Sequence, residues 1–221
     1  MTPFRTATLI LLAGLLTGTA ALADFNDAPP DARGQTPAFA GQTRAPVLPL
    51  ALRLARTPLV EGLRNPWGMA LLPDGSLLIT EKPGALRLYR DGKLSPPLKG
   101  LPKVDDQGQG GLLDVAVAPD FARTRQVWFS FAEPRDGRNG TAVGTGRLSQ
   151  DGTALEDMRV IFSSQPEVES ANHFGSRLVF DRDGMLFVTT GDRGFPAEEP
   201  VAQDLGNHLG KVLRLDPATG Q

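Results

Sequence analysis

The sequence predicts an all-β chain of the β-propeller class, and three observations carry that expectation. Short apolar runs with strand-type alternation recur beside Asp-Gly turns: Ser76 to Thr80 after Asp74-Gly75, Ala85 to Arg90 before Asp91-Gly92, and Met185 to Thr190 after Asp183-Gly184. No segment holds a helical period long enough for a long helix, whereas 25 glycines and 19 prolines punctuate the 221 residues. The strand–turn–strand unit also repeats. Pro73 to Glu81 and Arg182 to Thr190 share an apolar run, an Asp-Gly turn and a strand, and Gly111 to Phe121 leads into Val127 in the same way. Aligning Asp74, Asp120 and Asp183 gives steps of 46 and 63 residues (120 − 74 and 183 − 120), which suit four-stranded blades, one of them with a longer loop. A generic β-sandwich has the strands but no cause to repeat at blade length.

Taken in order, residues 1–23 read as a signal peptide. Arg5 precedes an apolar stretch from Ala7 to Leu16, and Ala21-Leu22-Ala23 has the small-x-small form of a cleavage site, so the mature chain is expected to begin at Asp24. That apolar stretch is broken by Gly14, Thr17, Gly18 and Thr19, too short for a span of roughly 20 apolar residues. Residues 24–50, rich in Pro, Ala, Gly and Asp without periodicity, read as a flexible lead-in. Residues 51–221 read as one propeller domain, with further strands at Val127 to Phe131, Thr141 to Leu148, Arg159 to Phe162, Leu178 to Phe180 and Val212 to Leu215. That length holds about three to four blades. Asp216 to Gln221 reads as a turn entering another strand, so the chain reads as a truncated arc with apolar blade faces left in water.

Composition narrows the function. A net charge of −2 and a pI near 5.7 give no electrostatic reason to expect nucleic acid or an anionic membrane surface. The absence of cysteine removes a disulfide framework, thiolate catalysis and zinc–thiolate sites. An exported, periplasmic or secreted protein acting on a small uncharged molecule fits these constraints. There is no GxSxG elbow, HExxH helix or EF-hand loop, and no metal-ligand set stands out.

Only two histidines are present. His173 sits in the polar loop Ser170-Ala171-Asn172-His173-Phe174-Gly175-Ser176-Arg177 at a strand entrance, where a propeller's central channel is within reach. An imidazole titrates ordinarily near neutrality and serves acid–base chemistry. By position alone, a loop histidine is more often a bystander. His208, in Asn207-His208-Leu209-Gly210, reads as part of a structural turn. Gln107-Gly108-Gln109-Gly110-Gly111 reads as a polar loop that a ligand can approach closely, without the strand–loop–helix setting of a phosphate site. Thr190-Gly191-Asp192-Arg193-Gly194 reads as a tight turn with an Asp192–Arg193 ion pair.

The runs Asn172 to Phe180, Asp183-Gly184, Thr190 to Gly194, Gln109 to Ala116 and Pro119-Asp120-Phe121 resemble the soluble pyrroloquinoline-quinone (PQQ) dependent glucose and sorbosone dehydrogenases. Asn65-Pro66-Trp67-Gly68-Met69 and Leu205 to Asp216 extend the likeness over about Leu52 to Gln221, and the aldose sugar dehydrogenase branch looks most similar. The resemblance implies a six-bladed propeller of which this chain forms the N-terminal half, PQQ and Ca²⁺ as cofactors, and oxidation of an aldose at C1 to the lactone. It implies that His173 is the general base lying against the quinone, and that Gln109 contacts the sugar. Asn172 stands where the glucose-specific branch has an aspartate. Its neutral amide still hydrogen-bonds hydroxyls but brings no charge beside His173, which favours the broader aldose branch. The residues that clamp the cofactor and the calcium site are expected beyond Gln221, and the sequence identifies no electron acceptor. Two other readings fit the same loops: a non-catalytic propeller binding carbohydrate or protein, and a metal-dependent propeller lactonase.

Overall fold

Asp-Gly turns and strand alternation build three successive antiparallel sheets. The computed structural model describes residues 34, 36–39, 41–42, 54–196 and 199–221; the expected signal peptide and most of the lead-in lie outside them. Residues 57–221 form one unit. The first sheet is β1 (Pro66–Leu71), β2 (Leu77–Glu81), β3 (Ala85–Arg90) and β4 (Lys93–Leu94). The second is β5 (Leu112–Val117), β6 (Gln126–Arg135), β7 (Arg138–Leu148) and β8 (Leu155–Ser163). The third has β9 (Gly175–Phe180), β10 (Leu186–Thr190) and β11 (Val212–Leu215). Each sheet is an up-and-down meander, and the first strand of the second packs against those of the first and third, so β1, β5 and β9 are the innermost strands of consecutive propeller blades. The only described helices are the four-residue α1 (Phe121–Thr124) and a 3₁₀ turn at Val201–Gln203.

The aligned aspartates occupy one structural position, between the first and second strand of each blade. In blade one, Leu72 N–H bonds Ser76 O while Gly75 N–H bonds Leu72 O; in blade three, Asp181 and Met185 make the first bond and Gly184 and Asp181 the second. In blade two, α1 replaces that turn. The longer repeat step reflects the long strands β6 and β7 and the loop 164–174, which carries His173. Apolar side chains fill the gaps between blades. Leu78, Leu86, Leu112, Val127 and Phe129 join the first two blades; Trp128, Val143, Leu178, Leu186 and Val188 join the second and third. On β1, small Gly68 and Ala70 face inward, while Trp67, Met69 and Leu71 are 48%, 60% and 67% exposed, an exposed apolar face.

A second repeat ties the innermost strands together. Each carries a bulge, at Pro66/Met69, at Leu112/Val115, and in β9 opposite Val188/Thr190. A bulge releases a backbone N–H from the ladder, and a hydroxyl on the second strand takes it: Gly68 N–H donates to Thr80 Oγ1 (2.7 Å), Asp114 N–H to Ser130 Oγ (3.0 Å) and Arg177 N–H to Thr189 Oγ1 (2.9 Å). The hydroxyl then reaches the next blade, Thr80 donating to Leu113 O (2.5 Å) and Ser130 to Ser176 O (2.7 Å). Peptide and hydroxyl thus alternate in a relay from blade one to blade three that ends three residues from His173. Ser130 is fully buried. Ser130→Ala leaves a buried donor and a partly buried acceptor unpaired, so an unfolding free-energy loss of about 1–3 kcal/mol is expected, read as a lowered denaturation midpoint. An unchanged midpoint would show that the relay does not bear on stability.

Candidate active site

His173 lies at the N-terminal entrance of β9, where loop 164–174 meets the end of β10. The backbone there is tightly constrained. His173 and Ser176 have φ of 50° and 129°, in the region that L residues rarely adopt, and Gly175 has 76°. Tertiary bonds hold this conformation. Gln109 Oε1 accepts the His173 N–H (2.9 Å), Gln109 N–H donates to Ala171 O (2.7 Å), and Thr141 Oγ1 donates to Phe174 O (2.5 Å). Phe174 is buried against Leu113 and Ala132. Asp114, also buried, accepts the Leu178 N–H (2.8 Å) and an Arg177 guanidinium N–H (3.3 Å), fixing β9 to blade two. Gly191 is required on the other side, because a Cβ there would overlap the carbonyl oxygen of His173.

The loop after β10 brings a carboxylate to the imidazole. His173 Nδ1 lies 2.6 Å from Asp192 Oδ1. The Gly194 N–H, and then the His173 imidazole, hold the Asp192 carboxyl below the usual carboxylate range, so it is ionised throughout the neutral range. An ionised carboxylate only accepts, so Nδ1 carries a proton, and in the neutral ring the Nε2 lone pair is the one that can take another. The two side chains are 52% and 42% exposed, which keeps the imidazole within reach of a ligand and lets water screen the pair. This corrects two expectations from sequence. No Asp192–Arg193 ion pair forms, because Arg193 turns inward over Phe174 while Asp192 faces His173. And a carboxylate does stand beside His173, supplied by Asp192 rather than by residue 172.

Gln109 and Asn172 flank His173. Gln109 spends its carbonyl on the His173 backbone, leaving its amide NH₂ as a donor, and Asn172 is exposed. Asn172 also lines a cavity of about 310 Å³ with Ser170, Arg193, Gly194 and Phe195, inside the ~300–1,000 Å³ range of small-molecule sites. A larger cleft of about 600 Å³ runs between β1, β5 and β9, but its walls are Met69 to Pro73, Val115 to Pro119 and Arg177 to Phe180, the ends of those strands away from His173. His208 lies elsewhere: its Nδ1 accepts the Gln165 N–H (3.0 Å), and its ring packs on Phe162 at 5.2 Å, the structural role its sequence context suggested.

Among the described residues, no three His, Asp or Glu side chains gather into one group. The residues around His173 fit one flank of a quinone: a half-exposed imidazole and a neighbouring amide donor.

The sequence profile of the Glucose / Sorbosone dehydrogenase family matches residues 63–221. The chain is 49% identical over 160 residues to aldose sugar dehydrogenase YliI of Escherichia coli (strain K12), covering 71% of this chain and 42% of that protein. It superposes on a solved glucose dehydrogenase with a TM-score of 0.70 at 50% identity, over 74% of this chain and 51% of the other. The PQQ-bound aldose sugar dehydrogenase of Streptomyces coelicolor gives a TM-score of 0.65 at 29% identity, over 75% and 48%. The chain spans about two fifths to one half of the length of these relatives.

Proposed function

Because the chain belongs to the Glucose / Sorbosone dehydrogenase family, we propose that it carries the proton-accepting part of a PQQ-dependent aldose dehydrogenase that oxidises the anomeric carbon to a lactone. The observation that carries this reading is the His173 Nδ1–Asp192 pair at 2.6 Å on a half-exposed ring. Family relatives named aldose sugar dehydrogenase and PQQ-bound aldose sugar dehydrogenase support it.

The chemistry follows from that geometry. The sugar binds with its anomeric hydroxyl against His173 Nε2, which accepts the hydroxyl proton as the C1–O bond gains double-bond character. The hydrogen on C1 must leave with its electron pair, and PQQ, when bound, supplies the acceptor for that hydride. Asp192 stabilises the imidazolium as it forms. The Gln109 and Asn172 amides hydrogen-bond sugar hydroxyls, and uncharged amides of this kind serve a range of aldoses. The strained loop keeps Nε2 in place before substrate arrives, so orientation is settled before the reaction begins. Export to a periplasm belongs to the proposal and rests on Arg5, the apolar stretch and Ala21-Leu22-Ala23. Among the described residues, no helix is long and apolar enough to cross a membrane.

The test is dye-linked oxidation of aldoses by the full-length gene product, with and without added PQQ and Ca²⁺. The expected result is dye reduction that requires both PQQ and aldose and yields lactone. Sugar binding without turnover would favour the non-catalytic propeller, and metal-dependent hydrolysis of lactones would favour the lactonase; either would overturn the proposal.

A further inference from the structure

Arg193 is the least economical residue near the site. It is only 3% exposed, sits at a φ of 65°, and makes no salt bridge with a carboxylate among the described residues. Its Nη2 donates to Asn139 Oδ1 on β7 and to Ser170 O in the histidine loop, while Ser170 Oγ donates back to Arg193 O (2.7 Å). Its Nε and Nη1 find no hydrogen-bond partner among the described residues, and the guanidinium lies 3.6 Å from the centre of the Phe174 ring. The carboxylate that offsets its charge is Asp105, reached through the Asn139 amide, whose Nδ2 donates to Asp105 Oδ2 (2.7 Å). Burial lowers the Arg193 pKa to about 10. A buried cation with two unpaired nitrogens, carrying three N–H groups, is costly, and an apolar side chain would fill the space at less expense. Such a cost is expected where function, not stability, fixes the residue.

Its neighbours indicate the purpose. Arg193 follows Asp192, and Phe174 follows His173, so the Arg193–Phe174 stack is a rung adjacent to the Asp192–His173 pair between the same two loops. On the other side, Gly191 backs onto the His173 carbonyl. The loops cannot separate or slide without breaking the stack or the bonds to Asn139 and Ser170. We propose that Arg193, anchored through Asn139 to Asp105, is a positioning residue that sets the Asp192–His173 contact and with it the tautomer of His173. The inference rests on the reading of His173 as the base, which it deepens.

The two histidines make the test internally controlled. In the full-length gene product, two-bond ¹H–¹⁵N correlations of the imidazoles report which ring nitrogen carries the proton. The wild type is expected to show His173 protonated at Nδ1 and His208 at Nε2, because His208 Nδ1 accepts from Gln165. Arg193→Lys keeps the charge but loses the planar fork, and Asp105→Asn removes the distant counter-charge while leaving the site loops intact in sequence. In Arg193→Lys the His173 pattern is expected to become a tautomer mixture with His208 unchanged, and kcat for aldose oxidation to fall about 10- to 100-fold with KM nearly unaltered. Asp105→Asn is expected to move both readouts the same way by a smaller amount. An unchanged His173 pattern and kcat in Arg193→Lys, or joint changes at His173 and His208 that signal general loosening, would overturn the proposal. A wild type with the expected tautomers and the expected variant response, but with no sugar oxidation, would overturn the functional reading alone.

Discussion

Replacing His173 with alanine in the full-length gene product is expected to lower kcat for aldose oxidation about 10²- to 10⁴-fold, roughly 3–5 kcal/mol of transition-state stabilisation, while fold and PQQ binding persist. The loss belongs in kcat because the imidazole acts on a proton that moves only as C1 is oxidised; a group that merely bound sugar would raise KM and leave turnover intact. Rival bases are few. His208 uses its Nδ1 to hold Gln165, its ring packs on Phe162, and Asp192 is already ionised and committed to His173 and Gly194. His208→Ala is therefore expected to cost stability rather than turnover. Turnover abolished in His208→Ala but kept in His173→Ala would reverse the assignment.

The second large effect is expected at Asp192. In Asp192→Asn, the amide oxygen still accepts from Gly194, so the loop keeps its shape, but the negative charge that stabilises the imidazolium is gone. In a buried Ser-His-Asp triad the same change costs about 10⁴-fold. Here both partners are roughly half-exposed and water screens the pair, so a fall in kcat of about 10- to 100-fold is expected, measured at saturating aldose. The pH profile separates charge from geometry. The Asp192 carboxyl is held below its ordinary value, so its contribution is complete above the usual carboxylate range and is lost only as the pH falls through its depressed value. Loss of activity near neutrality on acidification therefore cannot come from Asp192, whereas an acid limb that disappears in Asp192→Asn would assign it there.

The strands with a recognisable turn were legible from sequence. Ala85–Arg90 and Val212–Leu215 match the expected boundaries, and the Asp74, Asp120 and Asp183 repeat marks equivalent points in three blades. The strand β1 was not, because its inward residues are Gly68 and Ala70 and its large residues Trp67, Met69 and Leu71 face outward, so alternation of polarity gives no signal. The position of His173 at a strand entrance is legible in the sequence. Its partner was not identified, because a charged neighbour at separation one offered Asp192 a local pairing, while the actual contact spans 19 residues and depends on two loops meeting. The available signal was the Gly191 and Gly194 pair around Asp192-Arg193, a spacing that lets one loop press against another backbone. The hydroxyl relay was equally hidden: Thr80, Ser130 and Thr189 look like ordinary strand residues until the bulges opposite them are known.

Chemical rescue tests the central claim most directly. If His173 supplies only a positioned proton acceptor, adding imidazole to the PQQ-loaded His173→Ala variant should restore aldose oxidation in proportion to the concentration of neutral imidazole, with no effect of imidazole on the wild type. Wild-type turnover by His173→Ala without imidazole, or a variant that binds PQQ and sugar yet gains nothing from imidazole or from smaller amine bases, would contradict the account.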